Sequence, residues 1–231
     1  MEVVEDVVIV GAGIAGLATA VALKRVGIEA LVLERSEGLR ATGAALTLFP
    51  NAWRALEALG IAHKLTSVYH PFKKGYITNV GTGAIQEIPL AGSDRSGRGP
   101  RVVHRKALLE ALAEELPINT IRFSSKLTSI EAQSKQSSSL VTLRLEDGTQ
   151  LTAKVLIGCD GVKSVVARWL GLGEVVNSGR SAVRGLAVYP QGHGFKHEMQ
   201  QFIDVGKRGA FLPLTDKELY WFFICNSTFK G

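Results

Sequence analysis

The sequence predicts an α/β fold in which a βαβ unit is interleaved with an antiparallel β-sheet. Three observations carry this. The glycine-rich stretch Gly11-Ala12-Gly13-Ile14-Ala15-Gly16 lies between the apolar run Val7–Val10 and a helix-compatible run, Leu17–Val26. A second apolar run, Val155–Gly158, leads into Cys159-Asp160-Gly161 and again opens a helix-compatible segment. From Ser181 the pattern changes to short apolar and aromatic runs separated by turn residues, the mark of antiparallel strands. With 231 residues, 46% of them hydrophobic, the chain can bury a real core as one large domain or two intertwined ones.

The first unit carries the chemistry. Gly11 allows a tight turn, Gly13 lacks a Cβ so that a pyrophosphate can approach the backbone, and Gly16 lets the helix pack close to the strand. The helix N-terminus, with Ala12, Ile14 and Ala15 around it, presents unpaired N–H groups and a partial positive charge to phosphates. A second strand-like run, Ile28–Leu33, ends in Glu34, whose carboxylate can accept hydrogen bonds from both hydroxyls of an adenosine ribose. A glycine-rich turn in an ordinary βαβ unit explains the turn, but not three glycines plus the acid.

The remaining elements follow in order. Ser36–Ala45, rich in small residues, reads as a loop suited to close approach. Pro50–Leu59 reads as a helix started by proline and stopped by Gly60. Lys74–Val80 and Ala84–Ile88 form a hairpin around Gly81-Thr82-Gly83, and residues 91–100 a loop. Lys106–Leu116 is a helix with a Leu108, Leu109 and Leu112 stripe, ended by Pro117. Strands are expected at Thr120–Phe123 and Lys126–Ala132, followed by a solvated Gln133–Ser139 tip. Leu140–Leu145 and Gln150–Ala153 flank the Asp147-Gly148 turn. Val162–Leu170 is a short helix, and segments 182–190, 199–205, 209–214 and 218–225 are the strands of the second sheet. This assigns 1–70 and 100–180 to a dinucleotide-binding domain, with 71–99 and 181–231 forming a second, antiparallel sheet part.

Composition narrows the function classes. The net charge is +6, but the basic residues are dispersed, so a nucleic-acid-binding tract is not expected; a mild positive field suits an anionic ligand. Cys159 and Cys225 are the only cysteines and give neither a disulfide framework nor a zinc spacing. His193-x-x-x-His197 is interrupted by Gly194, so no helix aligns the two rings and no metal is expected. The acidic start Met1–Asp6 lacks signal- or transit-peptide character, and no apolar stretch approaches the roughly 20 residues of a membrane span. The expected location is cytoplasmic, or plastid if residues precede Met1. The sequence does not indicate an oligomeric state.

Asp160-Gly161 closes a buried strand and opens a helix. An acid there can bond ribose or pyrophosphate-linked groups; the alternative is a plain β-to-α turn with Asp near the helix cap. Together with Glu34-Arg35, His104-Arg105-Lys106-Ala107-Leu108, Gly158–Val162 with Ser164, and Gly43–Ala52, the pattern resembles the single-component flavin-dependent aromatic hydroxylases, the p-hydroxybenzoate hydroxylase-like family. Within it, the likeness is closest to plant salicylate-hydroxylase-like and zeaxanthin-epoxidase-like monooxygenases.

The resemblance implies a Rossmann-like FAD-binding domain interleaved with a β-sheet substrate domain. It implies FAD as cofactor, NADH or NADPH as co-substrate, and hydroxylation or epoxidation of a small aromatic or unsaturated substrate such as an aromatic acid. Gly11, Gly13 and Gly16 would meet the FAD pyrophosphate and Glu34 the adenosine ribose. Arg35 and Leu127 would lie near adenine, Gly43 and Ala44 near the flavin ring, and Arg105 would reach the cofactor from its helix. Asp160 and Gly161 would serve both FAD and NAD(P)H. Arg184, Phe211, Pro213 and Tyr220 are substrate-side candidates, Arg184 pairing with a carboxylate or serving as a plain sheet-face arginine. No catalytic base stands out. The family's further Gly-Asp motif and helical C-terminal part have no counterpart here, so the chain reads as lacking that part. The alternatives are a non-catalytic FAD-binding relic and an NAD-dependent dehydrogenase.

Overall fold

A computed structural model describes residues 4–40, 45–90, 99–135 and 138–226. In chain order the elements are β1 (Val4–Val10), α1 (Ile14–Arg25), β2 (Leu31–Leu33), β3 (Ala45–Leu48), α2 (Pro50–Ala58), α3 (Ala62–Thr66), β4 (Lys74–Asn79), β5 (Ile85–Pro89), β6 (Arg101–His104), α4 (Arg105–Ala113), β7 (Ile121–Arg122), β8 (Leu127–Lys135), β9 (Ser138–Leu145), β10 (Gln150–Gly158), α5 (Val165–Trp169), β11 (Arg180–Val188), β12 (Met199–Asp204), β13 (Lys207–Thr215) and β14 (Glu218–Asn226). They pack as two units, Met1–Ala41 with Leu109–Val176, and Thr42–Leu108 with Asn177–Gly231. These units divide the chain after residues 41, 108 and 176, where the sequence reading divided it after 70, 99 and 180.

The first unit is built on a sheet of order β7-β2-β1-β10-β9-β8. Strands β7, β2, β1 and β10 run parallel, and β10, β9 and β8 form an antiparallel meander. Val7–Val10 are buried on both sides of β1, as expected of a central parallel strand. Helix α1 buries Gly16, Leu17, Ala20 and Val21. It ends where Gly27, at φ 78°, takes the left-handed conformation that closes a helix, while the Ile28 N–H returns to the Leu23 carbonyl. Val8, Val10, Leu33, Leu127, Ile130, Leu143, Leu145, Ala153 and Val166 form one apolar cluster.

Two expectations change here. The polar Gln133–Ser139 stretch carries the hairpin further than the expected strand end at Ala132: β8 and β9 stay paired out to Lys135 opposite Ser138. Ladder bonding satisfies backbone groups whatever the side chains are, so a polar run extends a hairpin without cost to the core. Likewise Gln150–Ala153 and Val155–Gly158 are one strand, β10, bonded to β9 at its start and to β1 along most of its length.

In the second unit the sheet order is β11-β14-β13-β12-β4-β5. The four expected late strands and the early hairpin join into one sheet through a parallel β12–β4 pair. A two-stranded sheet, β3–β6, pairs Ala45 with His104 and Leu48 with Arg101. Helix α2 starts at Pro50 and buries Trp53 and Leu56. Trp53 is 1% exposed, and its indole N–H donates to the Leu48 carbonyl at 3.0 Å. Phe72, Ile61, Leu65, Val103 and Leu212 are also buried, each contributing about 1.5–3 kcal/mol by leaving water. Among the described residues no helix is long and apolar enough to cross a membrane.

Candidate functional site

The glycine-rich turn joins β1 to α1, and each glycine has its own geometry. Gly11 sits at φ 103° and donates its N–H to the Leu33 carbonyl at 2.7 Å. A Cβ there would overlap the Cys159 carbonyl and come within 3.1 Å of the Asp160 Cα. At Gly16 a Cβ would overlap the Gly11 carbonyl oxygen and touch the Cys159 Cβ at 3.4 Å. Gly16 therefore packs the helix against the turn itself. Gly13 is different: nothing lies within 4 Å of an added Cβ. It is the N-cap of α1, with no side chain capping the helix and no acid in its first turn. The helix thus starts with its amide donors uncapped by side chains and with open space beside the backbone, the arrangement that accepts a phosphate.

The Glu34 carboxylate, half-buried at the end of β2, is held at both oxygens. Oε2 accepts the Ala12 N–H at 2.8 Å and Oε1 the Ser36 N–H at 3.0 Å. These two bonds fix the carboxylate plane and leave lone pairs on both oxygens for ribose hydroxyls. Arg35 follows as an exposed side chain.

The β10–α5 turn lies against the same glycines. The Cys159 N–H bonds the Val10 carbonyl at 2.8 Å, so the two strand ends are locked side by side. The Asp160 carboxylate is turned onto its own helix: Oδ2 accepts from Val165 N–H at 2.6 Å and Val166 N–H at 3.4 Å, and Oδ1 from the Ser164 hydroxyl at 2.5 Å. Ser164 is the N-cap and accepts the Ala167 N–H at 2.8 Å. The helix-start role weighed above for Asp160 is thus present, and what the carboxylate retains for a ligand is lone-pair capacity on Oδ1. Gly161, at φ 82°, is exposed with open space around it. Burial raises the Cys159 thiol above its ordinary pKa, and a bond with Thr19 partly opposes that. Leu127 is 5% exposed, its side chain in the apolar cluster.

The first unit therefore brings together Gly11–Gly16, Glu34, Cys159, Asp160 and Gly161. Gly43 and Ala44 lie outside the described residues. Arg105, half-buried, is the first residue of α4 and belongs to the second unit.

The four substrate-side candidates are on three neighbouring strands of the second sheet, but not on one face. Arg184 pairs with Phe222 and Leu186 with Tyr220, so Arg184 and Tyr220 share a face with Ala210 and Leu212. Phe211 pairs with Trp221 and Pro213 with Leu219, on the opposite face. Side chains alternate along a strand, so one pocket cannot be lined by all four. Arg184 is exposed, while Pro213 and Tyr220 are buried. Both histidines of the His193/His197 pair are engaged by protein. His193 donates from Nε2 to the Thr215 carbonyl and accepts the Phe195 N–H at Nδ1. His197 bonds the His70 carbonyl, stacks on Phe72 at 4.3 Å, and has its pKa lowered by burial.

Sequence reasoning passed over a group in the second unit: Tyr69, Arg101, His104 and Glu218. The Tyr69 hydroxyl meets His104 Nδ1 at 2.9 Å, His104 Nε2 lies 3.3 Å from a Glu218 carboxylate oxygen, and Arg101 donates to the Tyr69 carbonyl at 2.6 Å. Arg101 also lies over the Trp53 ring at 5.3 Å, and burial lowers its pKa. These residues are far apart in sequence, and His104 beside Arg105 was the only local signal.

A family model described as an FAD binding domain matches residues 5–227. Monooxygenase 2 of Arabidopsis thaliana is 46% identical over 96% of this chain and 54% of its own length. Monooxygenase 1 of the same plant is 40% identical over 94% of this chain and 53% of its own. The structure of Klebsiella pneumoniae HpxO complexed with FAD and uric acid superposes with a TM-score of 0.83 at 25% identity, covering 98% of this chain and 57% of that one. The chain spans about half the length of the curated relatives it matches.

Proposed function

The chain belongs to the FAD binding domain family, and from that premise we propose that it forms the ADP-binding and substrate-sheet part of a flavin-dependent monooxygenase. The reaction is hydroxylation or epoxidation of a small aromatic or unsaturated substrate, with NADH or NADPH and dioxygen as co-substrates. The observation that carries the reading is the joint geometry of the first unit: an uncapped helix start with open space at Gly13, beside a Glu34 carboxylate held at both oxygens. The first accepts a pyrophosphate and the second a ribose diol, which are adjacent groups of one dinucleotide.

The residues present fit FAD. Gly11–Gly16 hold the pyrophosphate and Glu34 the adenosine ribose, with Arg35 and the Leu127 backbone toward adenine. The Asp160-Gly161 turn adds a further cofactor contact, which NAD(P)H shares. Bound FAD supplies the redox and oxygen chemistry. The protein orients the cofactor through Glu34 and neutralises phosphate charge with amide dipoles. Arg184 and Tyr220, on one sheet face, are the substrate-side pair; Phe211 and Pro213 serve the other face. HpxO has been solved with uric acid, a planar heteroaromatic; a planar aromatic acid or similar molecule is the proposed substrate class here.

Purification without added flavin, followed by absorbance and NAD(P)H-oxidation assays with aromatic acids, tests the reading. Retained yellow flavin and substrate-stimulated oxidation support the monooxygenase. A colourless protein that binds NAD instead would select the dehydrogenase, and flavin binding without oxidation the non-catalytic alternative.

A further inference from the structure

We propose that the second unit carries a small-molecule site of its own on the Phe211 face of its sheet, and that it takes a single aromatic ring bearing a carboxylate. Every residue of the site belongs to that unit, so it stands independently of the cofactor reading.

Phe211 of β13 and Gln200 of β12 are register partners, so their side chains leave the sheet on the same face. Phe202, two residues beyond Gln200, stacks on Phe211 with ring centroids 6.1 Å apart. Phe195, in the loop between β11 and β12, stands over this floor, its ring tilted 54° to Phe211 at 5.1 Å. That wall is fixed at its base. The Phe195 N–H donates to His193 Nδ1 at 3.0 Å, and His193 Nε2 donates to the Thr215 carbonyl at 2.7 Å. The enclosed cavity is about 250 Å³, lined by Gly194, Phe195, Lys196, Glu198, Gln200 and Phe211. A cavity of roughly 150 Å³ already takes benzene, so there is room for one ring and a substituent. Phe195 is 49% exposed, and a ring sliding against it and Phe211 removes that apolar surface from water.

The charges select the substituent. Glu198 is committed: Lys74 Nζ lies 3.6 Å from its carboxylate. Lys74 in turn reaches Glu87 at 3.5 Å and lies over the Tyr76 ring at 5.2 Å. Lys196 is exposed, and among the described residues neither its ammonium nor the Gln200 side-chain amide has a partner. The cavity therefore offers two aromatic walls, one uncommitted cation and one uncommitted amide. That set complements an anion carried on a planar ring. A cationic ligand would have to displace Lys74 from Glu198.

The test is a benzoate titration of the chain, read by the shifts of its backbone amides in ¹H–¹⁵N NMR spectra. Benzoate is expected to bind with a Kd of about a millimolar and to move the amides of residues 194–200 and Phe211. Benzyl alcohol, which has the ring without the charge, should move the same amides with about fivefold lower affinity. Lys196→Met should erase that difference by weakening benzoate alone, and Lys196→Arg should keep it. Phe195→Ala, at an exposed position, should weaken both ligands about tenfold and leave the melting temperature little changed. Shifts confined to β11 and β14, where Arg184 and Tyr220 lie, would overturn the proposal. So would equal binding of the two ligands, or a benzoate preference that survives Lys196→Met. FAD titration of the same samples reports separately on the cofactor reading.

Discussion

The Glu34 carboxylate accepts the Ala12 amide N–H at 2.8 Å, which ties the end of β2 to the middle of the glycine-rich turn. The acid that would read the ribose and the turn that would hold the pyrophosphate are therefore one preorganised piece. Glu34→Gln places an amide N–H₂ where one of two fixed N–H donors now points and removes the charge. FAD affinity is expected to fall about 10- to 100-fold, matching the roughly 1.5–3 kcal/mol of a hydrogen bond to a charged group. Fluorescence titration measures this, and the melting temperature should change far less than the affinity.

Gly13 and Gly16 separate binding from folding. Gly13→Ala has open space for its Cβ and should fold normally, yet it fills the volume proposed for the phosphate. Gly16→Ala drives a methyl into the Gly11 carbonyl and should cost about 1–3 kcal/mol of stability. Paired denaturation and FAD titration should show Gly13→Ala stable but weak in binding, and Gly16→Ala unstable.

Asp160 and Ser164 start helix α5. Ser164→Ala removes the cap on the Ala167 N–H and should destabilise the fold by about 0.5–2 kcal/mol. Asp160→Ala strips acceptors from Val165, Val166 and Ser164 at once and should cost more than Ser164→Ala in urea denaturation. Equal costs would mean that the Asp160 bonds to Val165 and Val166 add nothing beyond the Ser164 cap.

The Cys159 thiol is held protonated by burial, so its alkylation by iodoacetamide near pH 8 should be slower than that of the denatured chain. The sign for stability follows from a raised folded pKa. The neutral thiol's contribution is complete below the ordinary thiol range and is lost as pH rises through the raised value. Cys159→Ser should therefore flatten the alkaline end of the stability profile.

What the sequence disclosed and what it hid divide along contact range. Gly11–Gly16 and Glu34 were legible because turn, helix and acid lie within one βαβ unit. The hairpin β4–β5 and the late strands were legible from local turns, but the parallel β4–β12 pair joining them was not, since no local residue encodes a partner more than a hundred positions away. Strands β3 and β6 are four residues each and pair only across the intervening α2, α3, β4 and β5. The Tyr69–His104–Glu218 group was invisible for the same reason. The substrate-side residues were chosen by type, and only the register showed that Arg184 and Tyr220 face away from Phe211 and Pro213.

The central claim is that this chain grips FAD by its ADP half, through the Gly11–Gly16 turn and Glu34. Equilibrium titration of the chain with FAD, FMN and ADP tests it most directly. The account predicts FAD binding at about micromolar or tighter, displacement of FAD by ADP, and no comparable binding of FMN, which lacks the adenosine half. FMN binding as tightly as FAD, or FAD binding that excess ADP leaves untouched, would contradict it.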